Sequence, residues 1–219
     1  MDVEHLFDFG HCNPASRHRV KPGGRGVRDT PQTPLGRARR HYAGAMSPEP
    51  GDPAHPRDRS THPGVRSVME TLALHHVTPD VRHLPEAVRT AKAAAQALHV
   101  SPAEIANSLV FVATTHDGER VPLLVLASGG HRVDVDKVAA LAGLASVEQA
   151  DPDFVREHTG FAIGGVAPVG HPRHLRTIID VTLGRYETVW AAAGHSHSVF
   201  ATSYDELIRI TGGQPMDVA

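Results

Sequence analysis

The chain has 219 residues, a formal charge of −2 and 21% charged side chains, so no global positive field draws it to nucleic acid, and its length suits one good-sized domain or a smaller domain with a tail. Its single cysteine, Cys12, excludes an internal disulfide and a cysteine-built metal cage. The sequence has no apolar run long enough to span a membrane and no signal-peptide core, so a cytoplasmic setting is expected.

Residues 1–61 are crowded with Pro, Gly, Arg and His, as in Lys21-Pro22-Gly23-Gly24-Arg25-Gly26, and hold no helical or strand period. Such a stretch buries too little apolar surface to offset its ordering entropy and is expected to be a disordered tail; the other reading is a basic arm on RNA. Met46, followed by Ser47-Pro48-Glu49-Pro50, is an expected alternative translation start.

Regular structure is expected over 62–219. Val65, Val68, Met69, Leu72 and Ala73 recur at helical spacing. Val77 to Leu84 reads as extended, and Val88 to Leu98 as an Ala-rich helix. Ser101-Pro102-Ala103-Glu104 carries a helix-start signature, with a capping Ser, Pro in the first turn and Glu three residues on. Leu109 to Val112 reads as a strand, His116 to Glu119 as a hairpin turn, and Val121 to Ala127 as the returning strand. Helices are expected over Asp134 to Leu144 and from Asp151. Strands are expected at Thr177 to Val181, Thr188 to Ala192 and Ser198 to Ala201, then a last helix from Tyr204 to Ile210, stopped by Gly212-Gly213. With 5% aromatic residues, the core must rest on Leu, Val, Ile and Ala.

The most specific segment is Gly164-Gly165-Val166-Ala167-Pro168-Val169-Gly170. Paired glycines allow positive φ and let a ligand approach the main chain, whose N–H groups can hold a carbonyl oxygen or developing oxyanion. The same pattern also serves as a plain tight turn. It is not a phosphate-binding P-loop, because no Gly-Lys-Ser/Thr ending follows. His171-Pro172-Arg173-His174 and His195-Ser196-His197 offer general bases near neutral pH, zinc ligands or solvated loop residues; with 17 histidines in the chain, chance pairing is expected to account for most such spacings, and no metal site is assigned. Ser108, His195 and Asp180 could be written as a triad, but no nucleophile-elbow Gly-x-Ser-x-Gly surrounds Ser108. Trp190 and Phe161 read as core.

The glycine loop resembles the Gly-Gly-x-x-Pro-x-Gly loop of the YbaK/EbsC family, which includes the editing domain of prolyl-tRNA synthetase and its free-standing relatives. Ala91 to Leu98, Ile105-Ala106-Asn107-Ser108-Leu109-Val110, Ala150-Asp151-Pro152, Thr177-Ile178-Ile179-Asp180 and Ala192-Ala193-Gly194-His195 are similar to further family segments in the same order, so the resemblance runs from His62 to the C-terminus. It implies an α/β fold of the α+β type, with a mixed, barrel-like sheet of about six to seven short strands flanked by helices. It also implies a deacylase for the 3′ end of mischarged aminoacyl-tRNA that works without a metal or organic cofactor, with neither DNA nor a membrane as partner. Carried onto this sequence, the resemblance makes Asn107, Gly164 and Gly165 the catalytic candidates, and Ser108, Leu109, Val166, Pro168, Asp180, Gly194 and His195 the substrate-binding ones. Family members carry a lysine where this chain has Asn107, so the local cation is replaced by a neutral amide. Lysine occurs only at Lys21, Lys92 and Lys137, and Arg89 and Arg176 are the candidates to restore the charge. The leading expectation is a trans-editing hydrolase. The alternatives are a non-catalytic binder of aminoacyl-tRNA, an amino acid or a protein, and a hydrolase of another small acyl ester.

Overall fold

The structure is a computed structural model and describes residues 62–219; the expected tail and the Met46 start lie outside the described residues. The elements, in chain order, are α1 (Pro63–Leu74), β1 (Val81–His83), α2 (Ala91–Leu98), β2 (Ile105–Thr114), β3 (Arg120–Ser128), α3 (Val135–Ala142), β4 (Ser146–Gln149), α4 (Pro152–Thr159), β5 (Arg176–Asp180), β6 (Val189–His195), β7 (Ser198–Thr202), α5 (Tyr204–Thr211) and β8 (Gln214–Met216).

Short helices need strong punctuation, and the sequence supplies it. Thr90, Asp134, Asp151 and Ser203 cap α2, α3, α4 and α5, each side-chain oxygen accepting from a main-chain N–H of the first turn. At the other end His99, Gly143, Gly160 and Gly212 adopt the left-handed conformation that stops a helix. The cap at Thr90 starts α2 at Ala91, three residues later than the apolar pattern from Val88 implies.

The signature at Ser101 folds differently from its expectation. The capping box forms in full, with Ser101 Oγ accepting from Ala103 N–H at 3.3 Å and Glu104 Oε1 from Ser101 N–H at 2.8 Å. Yet it caps a single 3-10 turn, Pro102–Glu104, and Ile105 already begins β2. The run from Ile105 pairs with β3 over nine residues, Ala106↔Ser128 to Thr114↔Arg120, and that ladder overrides local helix preference. Asn107 and Ser108 are therefore strand residues.

Among the described residues, one mixed sheet of eight strands runs in the order β1-β7-β6-β2-β3-β5-β8, with β4 added beside β2. The short strands β4 and β8 carry too little pattern to stand out in the sequence. Strand β2 organises the sheet. One edge pairs with β3 throughout. The other is shared: β6 runs parallel to it at Ile105–Ala106, and β4 antiparallel at Phe111–Thr114. Between those two pairings no strand among the described residues covers the edge.

Alternation along β2 and β3 divides the core. Ala106, Val110, Val112, Leu124 and Leu126 pack with Val68 and Leu72 of α1, Val166 to Val169 of the glycine loop, and Leu207 and Ile210 of α5. On the opposite face Phe111, Ala113, Leu123 and Val125 meet Val138 and Ala142 of α3. A smaller cluster joins Ile105 and Trp190 to Ala94 and Ala95 of α2. Met69 and Ala73, which fit the apolar spacing of α1, lie on its exposed side. Helix α1 reaches β6 through two glycines: a Cβ on Gly194, whose φ is +82°, would stand 2.4 Å from the Gly64 oxygen.

Candidate functional site

A cavity of about 240 Å³ opens where β6 leaves β2. Its floor is Ile105 to Leu109 of β2, one wall is Trp190, Ala191, Ala192 and His195 of β6, and a second wall is the start of α2 with Arg89 and Thr90 before it. Ile163, Gly164 and Val166 of the glycine loop close the far side. The lining is mostly apolar and small, with Arg89, Thr90, Asn107, Ser108, His195 and Ser198 as its polar members. Because strand side chains alternate, Asn107 and Ser108 project to opposite faces of β2. The Ser108 hydroxyl oxygen is buried and makes no hydrogen bond among the described residues.

The paired glycines owe their identity to close approaches on both sides. Gly164 has φ +85°, and a Cβ there would lie 3.1 Å from Arg89 Cγ and 3.3 Å from Arg89 Cα. A Cβ on Gly165 would meet the His195 main chain at 3.1 Å. The loop is thus wedged between the lead-in to α2 and the end of β6. The Gly165 N–H is taken up within the loop, donating to the Ala162 carbonyl at 2.9 Å.

His195 Nδ1 accepts from the His197 N–H at 3.3 Å, so the neutral ring carries its proton on Nε2. Its ring centroid lies 4.4 Å from that of His62 and 5.3 Å from that of His197. His62 is held the same way, its Nδ1 accepting from Gly64 N–H at 3.1 Å.

Six of the ten residues singled out from the sequence line this cavity: Asn107, Ser108, Leu109, Gly164, Val166 and His195. Gly165 stands immediately behind it. Pro168 faces a separate cleft between α1 and α5, and its carbonyl is 3.3 Å from His171 Nε2. Gly194 packs on Gly64. Asp180 is fully buried and accepts from Ser128 N–H at 3.0 Å and Thr182 N–H at 2.9 Å, with His131 Nδ1 at 2.9 Å. These bonds use both its oxygens and separate it from Ser108 and His195, so the three form no triad.

Of the two arginines considered as replacement cations, Arg89 lines the cavity, whereas Arg176 donates to the Ala142 carbonyl at 2.6 Å. Lys137 is paired with Asp217 at 2.9 Å, and Lys92 lies exposed on α2. His171, a candidate base in the sequence, lines the α1–α5 cleft instead; burial lowers its pKa, and its Nδ1 has no hydrogen-bond partner among the described residues. Sequence reasoning missed Thr90, Ala91, Ala94 and Ile163 as lining residues. Trp190, read as core, is buried against Ile105, Ala94 and Ala95 as expected; it also lines the cavity, with the Arg82 guanidinium 4.4 Å from its ring centroid.

Residues 85–210 match the family model of the aminoacyl-tRNA editing domain. The protein belongs to this family. A solved structure proposed as a trans-editing enzyme for prolyl tRNA synthetase is 41% identical, with a TM-score of 0.64 over 72% of this chain and 97% of that one. The uncharacterised protein YwhH of Bacillus subtilis (strain 168) is 33% identical over 128 residues, 58% of this chain and 78% of its own. A protein of Enterococcus faecalis (strain ATCC 700802 / V583) proposed as the Cys-tRNA(Pro)/Cys-tRNA(Cys) deacylase EbsC is 22% identical over 125 residues, 57% of this chain and 74% of that one. The family read from the glycine loop and its companion segments is the one that these comparisons give. The editing-domain match begins at Pro85, after α1 and β1, and takes in the whole cavity lining. No helix among the described residues is long and apolar enough to cross a membrane.

Proposed function

We propose that this editing-domain protein hydrolyses the ester of a mischarged aminoacyl-tRNA in trans, at the cavity between β2, β6 and the glycine loop. The observation that carries the reading is the cavity itself. It is small against the roughly 300–1,000 Å³ usual for ligand clefts, its lining is rich in Ala and Val beside Ile105, Leu109, Ile163 and Trp190, and Arg89 is the cationic side chain among the described residues that line it.

The acyl group lies among Ala106, Ala191 and Val166, and the absence of a Cβ on Gly164 lets the ester come against the loop main chain. Water adds to the ester carbonyl; the tetrahedral intermediate collapses with cleavage of the bond to the ribose oxygen. That oxygen takes up a proton, and free amino acid and tRNA leave. Arg89, exposed at the rim beside Gly164, pairs with backbone phosphate near the tRNA 3′ end and takes over the charge that Asn107 does not carry. Asn107 holds the substrate through its amide, and His195 donates from Nε2.

The test is hydrolysis of alanyl-tRNA(Pro) and seryl-tRNA by the full-length chain, with Asn107→Lys alongside. Clearance by the native chain well above the buffer rate supports the reading. Clearance by Asn107→Lys alone identifies the natural protein as a binder that does not hydrolyse.

A further inference from the structure

The open edge of β2 has a polarity that the alternation of the strand fixes. The Ile105 carbonyl accepts from Gly129 N–H at 2.8 Å on the β3 side. The Val110 and Thr114 carbonyls accept from Ala150 and Ala145 N–H groups, at 3.4 and 2.8 Å, on the β4 side. Odd-numbered residues of β2 therefore turn their N–H and C=O toward β3, and even-numbered ones turn theirs away. Ser108 is even. The last rung to β6 is Ala106↔Ala191 and the first rung to β4 is Phe111↔Gln149, so neither strand reaches Ser108. Its N–H and C=O point into the gap where the cavity lies.

We propose that this one-residue edge is the recognition site for the α-amino ester unit, with Ser108 C=O accepting from the substrate ammonium and Ser108 N–H donating to the acyl carbonyl oxygen. The inference rests on the deacylase reading and names what that pocket reads. An antiparallel residue pair of the hydrogen-bonded kind exchanges N–H···O bonds in both directions between two residues. An α-aminoacyl ester presents the same two groups, a nitrogen donor and a carbonyl acceptor flanking one Cα. It docks as a single residue added to a sheet edge, the smallest form of strand addition.

Two further observations fit. No carboxylate among the described residues lines the cavity, so main-chain carbonyl oxygen is the acceptor they offer to an ammonium there. The Gly165 N–H is already committed to Ala162, which leaves the Ser108 N–H as the β2 donor aimed at the oxygen on which negative charge grows. Because the edge reads main-chain atoms, it accepts any amino acid that the walls admit, and side-chain selection falls to Ala106, Ala191 and Val166.

The experiment compares binding of 3′-deoxy-3′-(L-alanylamino)adenosine and 3′-deoxy-3′-(propionylamino)adenosine to the full-length chain. They are non-hydrolysable and differ only in the α-ammonium; alanyl is small enough for any pocket built around a larger side chain. The alanyl compound should bind about tenfold tighter or more, the usual worth of a charge-assisted hydrogen bond in a sheltered site. Ser108→Pro removes the gap-facing N–H, which the β3 ladder does not use, together with the hydroxyl; measured against Ser108→Ala, which removes the hydroxyl alone, it should weaken both compounds while preserving their ratio. Independently of that variant's folding, the Ser108 amide proton of the labelled native chain should move downfield on titration with the alanyl compound. Equal binding of the two compounds, or a Ser108 amide that stays put while Gly164 shifts, overturns the inference and leaves the deacylase reading standing. Failure of both compounds to bind, with no tRNA cleared, removes that reading and the inference with it.

Discussion

At Gly164 a backbone conformation and a close contact coincide, and each alone demands glycine. Left-handed φ costs a residue with a Cβ about 1–2 kcal/mol, and here the Cβ would also press on Arg89. Gly164→Ala should therefore lower kcat/KM for the preferred aminoacyl-tRNA about tenfold or more, because the loop moves into the cavity, while a thermal melt registers a drop of only a few degrees. Arg89 is testable by a split in the kinetics. Arg89→Ala should raise KM several-fold and flatten the dependence of kcat/KM on salt, with kcat nearly unchanged, and Arg89→Lys should restore most of the loss. A salt profile that Arg89→Ala leaves untouched would remove Arg89 from the RNA contact. The sequence disclosed these two residues unequally. Gly164-Gly165 with Pro168 and Gly170 prescribes a backbone path, so it is visible in letters alone. Arg89 sits in an irregular lead-in, where only the fold reveals that it touches Gly164. Asp180 and Gly194 show the converse: they lie in segments similar to the family's, but the first is turned inward onto main-chain N–H groups and the second onto α1.

Helix α1 meets β6 through a close contact between two main chains. Gly64 and Gly194 let two backbones meet at a distance that no Cβ permits. Gly194→Ala should cost roughly 2 kcal/mol or more in a denaturant titration, from the sum of backbone strain and displacement of α1. Gly143→Ala provides the comparison, since Gly143 also has positive φ, +65°, but nothing within 4 Å of its Cβ position. It should cost only the strain, about 1–2 kcal/mol. Equal losses at the two sites would show that the α1 contact contributes nothing. Helix starts were legible at Asp134 and Asp151, because a cap is a local event between a side chain and the next turn, whereas the cap at Thr90 was hidden by an apolar pattern that runs on from Val88. The fate of the Ser101 box was not legible. Its local chemistry is that of a helix start and is fully satisfied in the structure, but continuation past Glu104 is decided by pairing with β3, which lies in a distant part of the sequence. The same non-locality hid β4 and β8, short strands that exist because a neighbouring strand offers them an edge.

For the molecule as a whole, the sheltered His171 ring links stability to pH. Its folded-state pKa is lowered from 6.5, chiefly by burial, so between that lowered value and 6.5 the unfolded chain binds more protons than the folded one. This contribution is complete above about pH 6.5 and is lost as the pH falls through the folded value. In melts recorded from pH 7.5 to 5, the native chain should lose stability relative to His171→Gln, whose amide still donates to Pro168 but takes up no proton. Groups distant from residue 171 are common to both proteins and drop out of the difference. Parallel curves would mean that His171 titrates alike in both states.

The tilted contact between the His62 and His195 rings, with centroids 4.4 Å apart, places His62 beside a residue that lines the cavity. The chain has one cysteine, Cys12, so Cys12→Ser with His62→Cys leaves a single thiol there for an environment-sensitive dye. Arrival and departure of an aminoacyl end would then be read as a change in light, turnover by turnover, with no label on the RNA.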